Sequence, residues 1–138
     1  MSGSRLHAAA VAAALFGVAA TAAAQTPQIR PGLWEFAMSG MGHKQTMCFT
    51  PEMVKDVKSI AERGQQGSDC KSSNARTSGN THTVDIACTK PNKYNAKVTT
   101  TITDSDNFTV TQDYAVEAGG QAQKGTLTLS YRRVGECK

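Results

Sequence analysis

The sequence predicts an α+β, mainly β domain: a curved antiparallel meander of about six or seven strands, one helix packed on it, and two disulfides. Three observations carry this. Apolar residues recur at every second position in segment after segment, the pattern of strands with one wet and one buried face. One segment only, residues 51–63, spaces its apolar residues as a helix does. Turn signals such as "SGN" and "DSDN" separate the alternating segments.

In the first alternating segment, "PGLWEFAM" (31–38), Trp34, Phe36 and Met38 point one way and Leu33, Glu35 and Ala37 the other. "GMGH" (40–43) is turn material, and "KQTMCF" (44–49) is the returning strand. Thr50 can then cap a helix, and Pro51 fits its first turn, where a missing N–H costs nothing. Glu52 suits the positive end of the helix dipole. Met53, Val54, Val57, Ile60 and Ala61 form one apolar stripe, and Gly64 is a natural C-terminal cap. "QQGSD" (65–69) is a loop.

The rest reads as β. Residues 70–77 and 81–89 flank "SGN", with His82, Val84, Ile86 and Cys88 on one face. Residues 92–103 align Tyr94, Ala96, Val98 and Ile102, and residues 108–117 align Phe108, Val110, Tyr114 and Val116. "AGGQAQ" (118–123) reads as a flexible loop. Residues 125–134 close the series with Leu127, Leu129 and Tyr131.

The first 24 residues stand apart from the fold. Arg5 gives a positive start, "HAAAVAAALFGVAAT" is an apolar core, and "TAAAQ" ends in an A-x-A arrangement. This is the pattern of a cleaved signal peptide, with cleavage between Ala24 and Gln25. The apolar run is shorter than the roughly 20 residues of a membrane span. The mature form, residues 25–138, is then one exported domain, with no further membrane segment. The expected location is the periplasm, with release outside the cell as the other outcome of export.

All four cysteines lie in the mature part, and an even count in an exported chain predicts two disulfides. Three pairings are open. Favoured is Cys48–Cys70 with Cys88–Cys137, the first closing a loop around the helix. The next pairing is Cys70–Cys88, opposite across the "SGN" hairpin, with Cys48–Cys137. Net charge is +4, and the lysines are scattered. With few aromatics to stack bases, nothing points to nucleic acid.

"RPGLWEF" soon after the leader, "CFTPE" opening a helix, a Cys after that helix, a Cys ending a strand and "RRVGEC" at the end make a recognisable order. In these the chain resembles the DUF3617 family, small exported bacterial proteins, mostly Gram-negative, of unknown function. The resemblance implies a periplasmic location and two disulfides. It carries no activity, cofactor or catalytic residue.

The residues themselves offer three readings of function. The first is a non-catalytic binding or accessory domain of the cell envelope. Trp34, Phe36, Val84, Val98, Phe108, Tyr114 and Leu129 would line an apolar cavity for a small apolar or lipid-like ligand, or fill one another's space. In the latter case a protein or envelope partner would use the "GMGH" and "EAGGQAQ" loops. The second reading is Cu(I) binding by Met38, Met41, His43 and Met47, since thioethers and imidazole suit soft metals; against it, Met38 and Met47 sit where they would fill the core. The third is an enzyme of unrecognised type. There is no G-x-S-x-G and no H-E-x-x-H, and Glu35 and Asp85 fall on outward faces. The expectation is therefore no cofactor and no catalysis.

Overall fold

A computed structural model of the protein describes residues 27–56, 60 and 69–138. The leader, residues 1–24, lies outside them, as do most of the expected helix beyond Asp56, its cap at Gly64 and residues 65–68 of the following loop. Seven antiparallel strands form one open sheet: β1 (Gly32–Met38), β2 (Lys44–Phe49), β3 (Cys70–Ser78), β4 (Thr81–Cys88), β5 (Lys93–Asp104), β6 (Asn107–Ala118) and β7 (Gln121–Gly135). Between β2 and β3 the one-turn helix α1 spans Pro51–Val54. The described fold is thus mainly β, and of the expected helix over 51–63 the described residues include the turn Pro51–Val54. Thr50 caps it as its sequence suggests, its hydroxyl accepting from the Met53 N–H at 3.3 Å. Among the described residues no helix is long and apolar enough to cross a membrane.

The strand order is β2-β1-β7-β6-β5-β4-β3. β3 to β7 run as the expected meander, but β7 returns to pair with β1, which leaves β2 and β3 at opposite edges. The connection from β2 to β3 therefore joins edges six strand spacings apart, about 29 Å in a flat sheet. Met53, Val54 and Ile60 from this connection pack against the core.

The sheet is not flat. Phe49 on β2 and Phe108 on β6 are three strand spacings apart, about 14 Å in a flat sheet, yet their ring centroids are 6.2 Å apart. Trp34 lies between them, 5.4 Å from Phe49 and 5.2 Å from Phe108, and Tyr131 stacks on Phe108 at 4.4 Å. The sheet curls round this aromatic cluster, and Trp34 is completely buried with its indole N–H donating to the Arg30 carbonyl at 3.1 Å.

The two terminal motifs meet at one clasp. A bulge in β7 sets Arg133 opposite Trp34 and Gly135 opposite Leu33, which leaves the intervening Val134 turned out and exposed. Arg133 Nε donates to the Pro31 carbonyl at 2.8 Å, and its guanidinium pairs with Glu136. Gly32, at φ +145°, leaves room for it: a Cβ there would lie 2.5 Å from both Arg133 Nε and the Gly135 carbonyl oxygen. Alongside, Arg30 grips the β5–β6 turn, its Nε donating to Asp106 Oδ1 at 2.9 Å. These bonds hold the Asp106 carboxyl below the ordinary carboxylate range.

Two sequence expectations need correction. The favoured pairing Cys48–Cys70 with Cys88–Cys137 is not formed; the bridges are Cys48–Cys137 and Cys70–Cys88. The reason is strand order. Cys70 and Cys88 are register partners on β3 and β4, while Cys48 is on the far edge, near the end of β7. "AGGQAQ" is not a flexible loop either. Gly119 and Gly120, at φ +59° and +77°, make a two-residue turn, and Gln121 already pairs with Ala118.

Candidate functional site

The core face holds the seven residues expected to line an apolar cavity, but it packs them instead. Trp34, Val98 and Phe108 are at most 1% exposed, and Val84 is buried with them. Phe36, Tyr114 and Leu129 are half-buried at the margin, packed against each other's neighbours: Phe36 stacks on Tyr131 and Tyr114 on Tyr94. Burial raises the pKa of both Tyr131 and Tyr94. Thr100 is the one buried polar residue among those described, and no buried side-chain polar atom there lacks a partner.

The opposite face carries the larger of the two concavities described here, a trough of about 770 Å³ across β3 to β7. Its geometry follows from the register. Ser73, Asp85, Lys97, Asp113 and Thr126 are successive cross-strand partners and form one row over five strands. The next row is Ala87, Asn95, Ala115 and Lys124. Because side chains alternate across a strand, every member of both rows points away from the core. Ala87 and Ala115 are short and make the floor; Lys97 stands mid-row on β5 between Asp85 and Asp113, and Lys124 stands on β7 opposite Ala115. Beneath it on the core face Gly125 lies against Tyr114, where a Cβ would come 2.6 Å from the phenol oxygen.

The charges in this trough are partnered unequally. Asp85 Oδ2 accepts from Asn74 Nδ2 at 2.9 Å; Asn74 is placed by a bulge in β3 and has φ +53°. Asp113 Oδ1 accepts from the Thr126 hydroxyl at 2.7 Å. Both carboxylates are thus steadied by neutral donors. Lys97, although in register with both of them, forms no ion pair with a described residue, and neither does Lys124. The smaller concavity, about 370 Å³, differs in kind: Glu35 at its wall is already met by Lys44 at 3.0 Å and Arg132 at 3.7 Å. The trough presents two anions and two cations whose charges are open to a ligand; the smaller hollow presents closed ion pairs.

The methionines are also placed differently from expectation. Neither Met38 nor Met47 joins the core; Met38 is half-buried and Met47 is 39% exposed, while Met41 is 61% exposed. Met47 is opposite Trp34, and Met38 lies four residues along β1 from that pair. This separates Met47 from Met38 by about 13 Å along the strand, so the four expected soft ligands do not meet at one point. Among the described residues no group of three His, Cys, Asp or Glu is placed to hold a metal.

A model of the protein family described as "Protein of unknown function (DUF3617)" matches residues 29–137. No curated protein and no solved structure matches the chain. The motifs that carried the resemblance fall on the clasp, the bridges and the helix cap, and the trough uses none of them.

Proposed function

The chain belongs to the DUF3617 family, and for this member we propose a non-catalytic binding role in the periplasm, with the trough across β3 to β7 taking up a small zwitterionic solute. The observation that carries this reading is the alternation of Asp85, Lys97 and Asp113 in one row, with Lys124 beside it, over a floor of alanines. A ligand bearing both an ammonium and a carboxylate can meet an aspartate and a lysine without leaving a charge unmatched. A purely apolar ligand cannot, because it would strip water from all four.

The non-catalytic part rests on exposure. Lys97, Asp113 and Lys124 are exposed side chains, whereas acid–base catalysis works through groups whose burial shifts their proton affinity. The location rests on the leader pattern at residues 1–24 and on two disulfides, which persist in oxidising compartments.

The test is calorimetry of the disulfide-bonded protein with alanylalanine as probe. Exposed ionic contacts contribute roughly 1 kcal/mol or less each, so one aspartate and one lysine together supply about 2 kcal/mol and a dissociation constant of roughly tens of millimolar is expected. Lys97→Ala with Lys124→Ala should abolish measurable binding, and Lys90→Ala, outside the trough, should not change it. Binding that survives the double substitution would overturn the assignment, as would no binding to the unaltered protein.

A further inference from the structure

The hairpin between β1 and β2 gathers three soft ligands at its tip. The Met41 N–H donates to the Met38 carbonyl at 3.2 Å, closing a turn through Gly40 at φ +80°. The His43 N–H donates to the Met41 carbonyl at 2.7 Å, closing a second, tighter turn. The first turn holds the Met38 and Met41 Cα atoms within about 7 Å. The second holds Met41 and His43 at least as close. Ala37 and Lys44 are the last ladder pair, so Met38 and His43 are the next residues across the hairpin, about 5 Å apart at Cα. Two thioethers and one imidazole thus rise from a triangle of backbone no wider than one turn.

None of these three side chains belongs to the core cluster. Met41 is among the exposed large hydrophobic residues, His43 is exposed, and Met38 is outside the core cluster. The nearby carboxylate, Glu35, is engaged by Lys44 and Arg132. What remains at the tip is thioether sulfur and imidazole nitrogen, a donor set that suits soft, low-coordinate monovalent ions and offers little to Ca²⁺ or Mg²⁺. We propose that Met38, Met41 and His43 form a surface site for a soft monovalent cation, Cu(I) or Ag(I), with Met47 excluded by the β1–β2 register. This site is separate from the trough and does not depend on it.

Ag(I) is the probe to use first. It needs no reductant, and all four cysteines are held in the two bridges, so no thiol competes. The full disulfide-bonded chain is titrated with silver nitrate while the methionine methyl and histidine ring signals are followed by NMR. The expected result is saturation at one equivalent, with Met38, Met41 and His43 shifting and Met47 and Met53 still. Met41→Ala and His43→Ala should each weaken binding by about tenfold or more, the scale seen even for lost outer-shell groups. Both positions are exposed, so thermal melting of the metal-free variants should match the parent. Met47→Ala should bind as the parent does. Shifts spread over all the methionines, unaltered affinity in Met41→Ala and His43→Ala, or no binding in excess silver would each overturn the site.

Discussion

Gly32→Ala tests the clasp that joins the two ends of the fold. The substitution introduces two separable costs. Gly32 sits at φ +145°, where a residue with a side chain is strained by about 1–3 kcal/mol. The new Cβ also needs space held by Arg133 Nε and the Gly135 carbonyl oxygen, each 2.5 Å away. Arg133 can swing aside, but it then gives up its bond to the Pro31 carbonyl, a charge-assisted contact of about 1.5–3 kcal/mol. The Gly135 carbonyl is backbone and cannot move without disturbing the β1–β7 pairing. The total is about 2.5–6 kcal/mol, a large share of the roughly 5–15 kcal/mol that holds a domain together. The matched control is Gly120→Ala. Gly120 also has positive φ, +77°, but nothing lies within 4 Å of its would-be Cβ, so the backbone cost of about 1–2 kcal/mol acts alone. Urea unfolding followed by fluorescence is the assay, because Trp34 is the only tryptophan and is fully buried. If Gly32→Ala lowers stability no more than Gly120→Ala does, Arg133 and Gly135 do not crowd this position and the clasp is wrongly drawn.

Cys48→Ala with Cys137→Ala opens a loop with a sequence separation of 89 and, because both cysteines are exposed, adds no core cavity. Chain entropy predicts a loss of about 4–5 kcal/mol by urea unfolding, and a loss near zero would refute the bridge. Asp106→Asn should flatten the acid limb of the stability curve. The Arg30 hydrogen bonds lower the folded Asp106 pKa, so its contribution is complete above the unfolded value and fades as pH falls through the folded one; unchanged acid unfolding would contradict this. Tyr131→Phe should extend stability at the alkaline end, since burial raises the phenol pKa and the folded state resists its ionisation as pH climbs. Tyr94, raised for the same reason, keeps part of that limb in the variant, and pH-dependent melting reads both.

The local parts of this fold were legible because they have local causes. Trp34, Phe36 and Met38 alternate because the pleat alternates, and Thr50-Pro51 opens a helical turn because cap and ring chemistry act over three residues. What stayed hidden depends on distant neighbours. Nothing within β7 signals that it pairs with β1, and the disulfide pairing follows from that strand order, so the loop-closing choice around the helix was the natural wrong one. Gly119-Gly120 is a pair of the kind that favours a two-residue hairpin turn, a local signal for the turn seen between β6 and β7. The trough was the least accessible. Asp85, Lys97 and Asp113 are each unremarkable outward residues, 12 and 16 positions apart in the chain, and only the exact register sets them in one row. Met38 and Met47 are hydrophobic and alternate with core residues, which marks them as core in the sequence, yet both lie outside the core cluster.

An amide NMR map of the unaltered, disulfide-bonded protein with added alanylalanine tests directly whether the trough is where a solute binds. The predicted result is saturable shifts at Asp85, Ala87, Lys97, Asp113, Ala115 and Lys124, with the β1–β2 hairpin and the Glu35 hollow unmoved. Shifts centred on the core face or on that hollow, or none that saturate, would contradict it.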